Sequence, residues 1–282
     1  MNYKKMFFPI GGGEELEERI HGVLLVAKYF NTNLEVLKCE LKSNLNMHKN
    51  LSIPEELFNK INEVINKQHE DENTQFKILF ENKAEELGIK ISKKNLPNEA
   101  STYLKSRKGL RSAIIEQESK FCDLVVASAP PLGVTTSTFE TAVLKSGKSV
   151  LMIPRKMKTF STKSVIIGWN NSPEASRALT TSIDILKEAQ RVHIVSSEEY
   201  VGESDLINDL LDYLKSHNID ATYEIVKTTK IPGQALLNAA LDGNFDLIVA
   251  GAYGHRGLKE MMFGGATRYL LEKSTLPVFM SH

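Results

Sequence analysis

Two ten-residue stretches superimpose position for position: "CDLVVASAPP", Cys122 to Pro131, and "FDLIVAGAYG", Phe245 to Gly254. Each leads through a segment of helical period into a last apolar run, "SVLMIP" or "LPVFMSH". Repetition at this spacing means that one fold is written twice. A chain of 282 residues gives each copy enough length to bury its own core. The polar, basic stretch "RKMKTFST", Arg155 to Thr162, separates them, so the first copy is read as 1–156 and the second as 160–282.

Inside each copy, apolar β-branched runs alternate with helical periods, the pattern of a parallel sheet covered by helices. The second copy reads as strand "KSVIIGWN", a helix from Ser172-Pro173, strand "RVHIVSS", helix "ESDLINDLLDYLKSH" and strand "ATYEIVKT". Helix "PGQALLNAAL", strand "FDLIVAGA", a helix near "GATRYLLEK" and strand "LPVFMSH" complete it. The fold class expected is therefore α/β, two tandem copies of a five-stranded, parallel, Rossmann-like domain. Ser172 serves as N-cap, with Pro173 at the first helical position and Glu174 at the positive end of the dipole. In such sheets ligands sit beyond the carboxyl ends of the strands.

The first copy has the same order with an insertion at about 42–86, whose Leu57, Ile61, Val64 and Ile65 recur at helical spacing. One long helix, or two, is expected to extend the cover of the sheet there. His48 and His69 in this segment lack ligand partners at useful spacing. Thirty-five basic and thirty-five acidic residues leave no net field to draw the molecule toward nucleic acid or membrane. The N-terminal apolar run meets glycine and glutamate too early for a signal peptide or a span, so a cytoplasmic location is expected. Cys39 and Cys122, without C-x-x-C spacing, are read as buried free thiols.

One short stretch carries the chemistry. Gly251, Gly254 and Gly264 stand as G-x2-G-x9-G, one pair just past a strand and the third at the start of a helix, with Tyr253 between the first two. Glycine at 251 and 254 permits positive φ and lets main-chain N–H groups approach an anion. Gly264, Gly265 and Ala266 open a helix whose free N–H groups suit a phosphate. Thr267 adds a hydroxyl, and His255 and Arg256 reach the outer phosphates. A tight turn with close helix packing is the alternative reading of the same glycines. Asn170, Asn171 and Ser172 likewise read either as ligand contacts at the end of the first strand or as an ordinary strand-to-helix turn.

With these residues in view the chain resembles a tandem universal stress protein, on "SVIIGWNNSPEASRAL", "GAYGHRGLKEMMFGGATRYLL" and "LPVFMSH". That family is known for an adenine-nucleotide-binding α/β fold whose G-x2-G-x9-G pattern, followed by Ser, Thr or Asn, holds the phosphates. The resemblance implies ATP or AMP as ligand, with or without magnesium. It also implies pairing of final strands, here within one chain, and leaves room for a homodimer or a protein partner. Asn170 stands where the family commonly has an aspartate, and Gly265 where it has a hydroxyl or amide. Trp169 is read as packing on its neighbouring strand, with a flank for a base as the alternative.

In the first copy Ser128 and Pro131 occupy the positions of Gly251 and Gly254, and Pro131 removes a donor. Gly11, Gly12 and Gly13 precede a helix, but Glu14 and Glu15 oppose a phosphate there, and a flexible turn is the preferred reading. No nucleophile, base and orienting group come together, and the glycine loop lacks the G-x4-G-K-[ST] lysine. A nucleotide-binding stress protein is the leading expectation. An interaction scaffold with a vestigial pocket and a slow nucleotide phosphohydrolase are the alternatives.

Overall fold

The computed structural model describes residues 3–11, 13–40, 55–201, 206–227, 231–253 and 265–282. In chain order the elements are β1 (Lys5–Ile10), α1 (Leu16–Tyr29), β2 (Asn33–Glu40), α2 (Glu55–Glu86), β3 (Lys90–Ile91) and β4 (Ser101–Lys108). Then come α3 (Arg111–Glu118), β5 (Leu124–Ser128), α4 (Ser137–Lys145) and β6 (Val150–Ile153). The second half supplies β7 (Ser164–Trp169), α5 (Pro173–Glu188), β8 (Arg191–Ser197), α6 (Glu198–Val201), α7 (Leu206–Ser216) and β9 (Ala221–Val226). It ends with α8 (Pro232–Asp242), β10 (Leu247–Gly251), α9 (Ala266–Lys273) and β11 (Val278–Ser281).

These strands form one sheet of eleven, ordered β3-β4-β2-β1-β5-β6-β11-β10-β7-β8-β9. Every pairing is parallel except β6 with β11, which run antiparallel with Leu151 opposite Phe279. The α/β class and the pairing of the final strands within one chain, which the resemblance implied, are both found, and only the strand count of the first half differs from expectation. The halves share one sheet, because pairing the final strands covers an edge that each would otherwise expose. The first half contributes six strands, since the two-residue β3 adds to β4. Without β3, the order outward from the junction is the same in both halves. A cluster of hydroxyls ties the seam to α5: Ser149 Oγ lies 2.7 Å from Ser281 Oγ and donates to Thr181 Oγ1 at 2.9 Å.

Alternation along the strands sends side chains to two core layers. Phe8, Leu151, Ile167 and Phe279 join the layer under α1, α5 and α7, while Phe7, Val150, Ile166 and Val278 join the layer under α3, α4, α8 and α9. The long insertion is one helix, α2, but its cover is shorter than expected. Only Phe76, Phe80 and Ala84 are buried, whereas Leu57 and Val64 are exposed. The apolar spacing at the start of α2 thus makes a helix without reaching the sheet. His69 is exposed beside Glu72, and His48 lies outside the described residues. Cys39 and Cys122 are buried and free, and burial pushes the Cys122 thiol up to about 12.

Candidate functional site

The carboxyl ends of β7 and β10 meet the start of α5. Asn170 Oδ1 accepts from Ser172 N–H at 3.3 Å and from Ser172 Oγ–H at 2.7 Å, and Asn171 takes a left-handed φ of 56°. Ser172 Oγ then accepts from Ala175 N–H at 3.1 Å, capping α5 with Pro173 at its first position. The turn reading of Asn170, Asn171 and Ser172 accounts for these bonds. Trp169 is partly buried against the core layer under α5. Glu174 follows, buried; its Oε1 accepts from Arg177 Nη2 at 3.2 Å, and its Oε2 has no hydrogen-bond partner among the described residues.

Gly251 departs from the reason the sequence suggested for it. It is a strand residue paired with Ser281, and it is not among the residues of positive φ. A Cβ there would lie 2.6 Å from Ala175 N and 2.9 Å from Glu174 C, so glycine is needed to let the backbone of α5 seat against β10. The next amide is also committed, since Ala252 N–H donates to the Ser281 carbonyl at 2.9 Å. The positive φ falls instead on Tyr253, at 52°, whose N–H points to Thr267 Oγ1 at 3.4 Å. Tyr253 is 7% exposed and its hydroxyl has no partner among the described residues. Burial pushes its phenol up, and the charge of Glu140 adds to that.

Gly254, His255, Arg256 and Gly264 lie outside the described residues. The chain returns at Gly265, the N-cap of α9, which brings no side chain to cap the helix. Tyr269 N–H donates to the Gly265 carbonyl at 3.1 Å, and the N–H groups of Ala266 and Thr267 lie ahead of that bond at the positive end of the dipole. The Ala266 carbonyl packs against Gly233 of α8. A cavity of about 210 Å³ opens at this end, lined by Tyr253, Gly265, Thr267, Arg268 and Leu271 together with Gly133, Val134 and Thr135 of the first half. Asn170, Asn171 and Ser172 are not in its lining. A cavity of this size admits a phosphate group.

Gly133, Val134 and Thr135, with Arg268 and Leu271, are the lining residues that sequence reasoning passed over. Gly133 has φ of 70°, and a Cβ on it would fall 2.5 Å from Glu272 Cα, so the turn Pro131–Gly133 abuts α9 directly. The signal was present in "PPLGVTT", a glycine just past the first copy's degenerate loop. Among the described residues no group of three or more His, Cys, Asp or Glu is placed to hold a metal ion. Nor is any described helix long and apolar enough to cross a membrane.

The start of α9 thus offers a phosphate the amides of Ala266 and Thr267, a glycine N-cap and a buried phenol that has no partner among the described residues, whereas Gly251 offers it nothing. Comparison with known proteins agrees with this architecture. The family model described as "Universal stress protein family" matches residues 161–282. No curated protein sequence matches the chain. Among solved structures, a universal stress protein from Archaeoglobus fulgidus DSM 4304 superimposes with a TM-score of 0.69 at 16% identity, covering 98% of this chain and 97% of that one. A functionally unknown protein from Pseudomonas aeruginosa PAO1 gives a TM-score of 0.54 at 15% identity over 98% of this chain and 92% of its own. Residues 161–282 are thus a domain of the universal stress protein family, and the whole length of the chain follows the fold of a solved universal stress protein.

Proposed function

We propose that the chain is a nucleotide-binding stress protein whose second half, residues 160–282, binds an adenine nucleotide, ATP or AMP, as a sensor or regulator. The first half, 1–156, serves as a partner domain without a G-x2-G-x9-G site of its own. The observation that carries the reading is the cavity at the uncapped start of α9, where Tyr253, Gly265 and Thr267 converge. A phosphate there would receive main-chain N–H groups and the favourable dipole end, as anions do at other helix starts. The rest of the nucleotide would extend outward toward the carboxyl ends of the strands, where Asn170 and Asn171 lie at the surface. The resemblance of the sequence supports adenine over other bases, and the family membership of 161–282 supports a regulatory role over a catalytic one.

Calorimetric titration of the intact protein with ATP, ADP and AMP, each with and without magnesium, tests this. Binding of at least one nucleotide, weakened tenfold or more by Gly254→Val, is the expected outcome. Absence of binding at millimolar nucleotide would leave the interaction scaffold as the surviving reading. Phosphate release that Gly254→Val abolishes would move the protein to the hydrolase reading.

A further inference from the structure

Both halves build the cavity at the start of α9. From the first half come Gly133, Val134 and Thr135, which follow β5 and lead into α4. This is the loop in which Pro131 replaces a glycine and removes a donor, so it makes no phosphate site of its own. Its contacts show a different use. Gly133 N–H donates to the Pro130 carbonyl and Val134 N–H to the Pro131 carbonyl, both at 3.2 Å, so the turn is closed on itself. It seats against α9 through Gly133, where a φ of 70° and a Cβ position only 2.5 Å from Glu272 Cα exclude any other residue.

That seating decides which donors the first half presents. The amides of Gly133 and Val134 are committed to the turn. Thr136 is the N-cap of α4, and its Oγ1 accepts from Phe139 N–H at 3.3 Å. Thr135, between them, is half-buried and lines the cavity, and neither its N–H nor its hydroxyl has a partner among the described residues. The second half adds Thr267, Arg268 and the Tyr253 phenol, whose buried hydroxyl also has no partner among the described residues. Burial and the charge of Glu140, in the first turn of α4, keep that phenol protonated and therefore a donor.

A phosphate has oxygens on every side. Held at the start of α9, it takes the amides of Ala266 and Thr267 on one side. Its other oxygens turn to the facing wall, where an oxygen removed from water without a donor is costly. We propose that the phosphate site is bipartite: Thr135 of the first half donates its hydroxyl to the phosphate held by the start of α9, and the ligand bridges the two halves. The proposal rests on the nucleotide reading of the second half and adds the first half to it. A ligand that touches both halves stabilises their contact, and by linkage a partner that shifts the turn at 131–135 changes the affinity for nucleotide. The first half thus regulates a site that it lacks the glycines to build alone.

Calorimetric titration of the intact protein with ATP, and separately with inorganic pyrophosphate, compares the wild type with Thr135→Val, Thr135→Ser and Gly254→Val. Thr135→Val keeps the shape and removes the hydroxyl. It should weaken ATP binding by about threefold or more, the loss of one hydrogen bond to a charged group, and Thr135→Ser should weaken it less. Amide exchange gives a readout that a merely structural role would not move: ATP should slow exchange at 133–136 in the wild type, and slow it less in Thr135→Val at equal saturation. A Thr135→Val isotherm less than threefold weaker, with Gly254→Val still tenfold weaker, overturns the bipartite site and leaves the nucleotide reading standing. Pyrophosphate binding that depends on Thr135, with no binding of ATP, keeps the bipartite site and overturns the nucleotide reading. Absence of binding by the wild type at millimolar ATP and millimolar pyrophosphate overturns both. Should Thr135→Val fail to fold by circular dichroism, exchange in the wild type decides: slowing at 133–136 on addition of ATP supports the site, and unchanged exchange there overturns it.

Discussion

Ser128 and Gly251 end β5 and β10, matching strands of the two halves, and the difference between them follows from the helix that each strand faces. In the second half α5 starts four residues after β7, capped by Ser172, and its backbone presses on β10 so closely that only glycine fits at 251. In the first half α1 enters differently. Glu15 precedes it in a left-handed conformation with φ of 58° and makes no side-chain cap, and arginines from α1, α3 and the segment after β6 gather there. Position 128 therefore has space for a side chain, and the Ser128 hydroxyl is buried without a partner among the described residues. One fold, written twice, has kept its strand order and changed what packs against its strand ends.

Exchanging the two residues gives the largest effect we expect. Gly251→Ser places a Cβ 2.6 Å from Ala175 N, where backbone and not a flexible side chain must yield. The cost should be about 3 kcal/mol, the upper part of the range for overpacked sites. Ser128→Gly loses no hydrogen bond and should cost about 0.5–1 kcal/mol through chain entropy in a strand. Urea denaturation of the two variants checks the contrast. Equal losses would mean that the seating of α5 does not set the identity of residue 251.

The succession of strands and helices along the chain, the start of a helix at Pro173 and its Ser172 cap were legible, because periodicity and capping are local signals. The single shared sheet was legible only through resemblance, since antiparallel pairing of Leu151 with Phe279 joins residues far apart in the chain. At the site, Tyr253, Gly265 and Thr267 were named from the glycine spacing and do line one cavity. The reason given for Gly251 was not legible: a glycine that permits positive φ and a glycine that admits a neighbouring helix look the same in one dimension. The contribution of Gly133 to Thr135 was hidden for a related reason, as the turn that carries them meets α9 from far away in the chain.

A second matched pair sharpens the comparison. Glu35 in β2 and His193 in β8 sit at equivalent places on the same face, opposite Phe7 and Ile166 in register. His193 Nδ1 lies 2.7 Å from Thr222 Oγ1, and burial pushes its imidazole down while Glu224 pulls it up. Glu35, 1% exposed, has Lys5 Nζ at 2.7 Å and Lys105 Nζ at 3.2 Å and accepts from the Tyr103 hydroxyl. Burial alone would raise its carboxyl, but the bonds from Lys5 and Tyr103 outweigh that and hold it below the usual range. A lowered pKa in the folded state stabilises the protein above the unfolded value of about 4.3 and is lost as pH falls through the folded value. Glu35→Gln should therefore cost about 2 kcal/mol at pH 7, less than for a fully enclosed pair because both lysines reach solvent. The gap to the wild type should shrink progressively below about pH 4 as the wild-type carboxyl gains its proton. Urea midpoints between pH 3 and 7 read this directly, and a gap that stays constant with pH would show that the loss is packing and not charge.

The smallest effect concerns how the first helix of each half begins. Ser172 Oγ accepts from Ala175 N–H at 3.1 Å, whereas α1 has no side-chain cap at Glu15. Ser172→Ala removes that acceptor and leaves the Asn170 amide oxygen with only the Ser172 N–H to accept from, at 3.3 Å. About 1 kcal/mol is the usual cost of losing such a cap. Because Ala175 N also faces Gly251, fraying of this turn would loosen the contact that holds α5 on β10. The corresponding change in the first half, Glu15→Ala, takes away no cap; it removes the carboxylate that Arg155 and Lys156 share. Amide hydrogen exchange separates the two cases. Ser172→Ala should speed exchange at Ala175 and Ser176 and leave α1 unchanged, while Glu15→Ala should act on the segment at Arg155 and Lys156 and leave the start of α1 protected as before. Equal fraying of both helices would mean that their entries are held in the same way, and that the contrast at the strand ends has another origin.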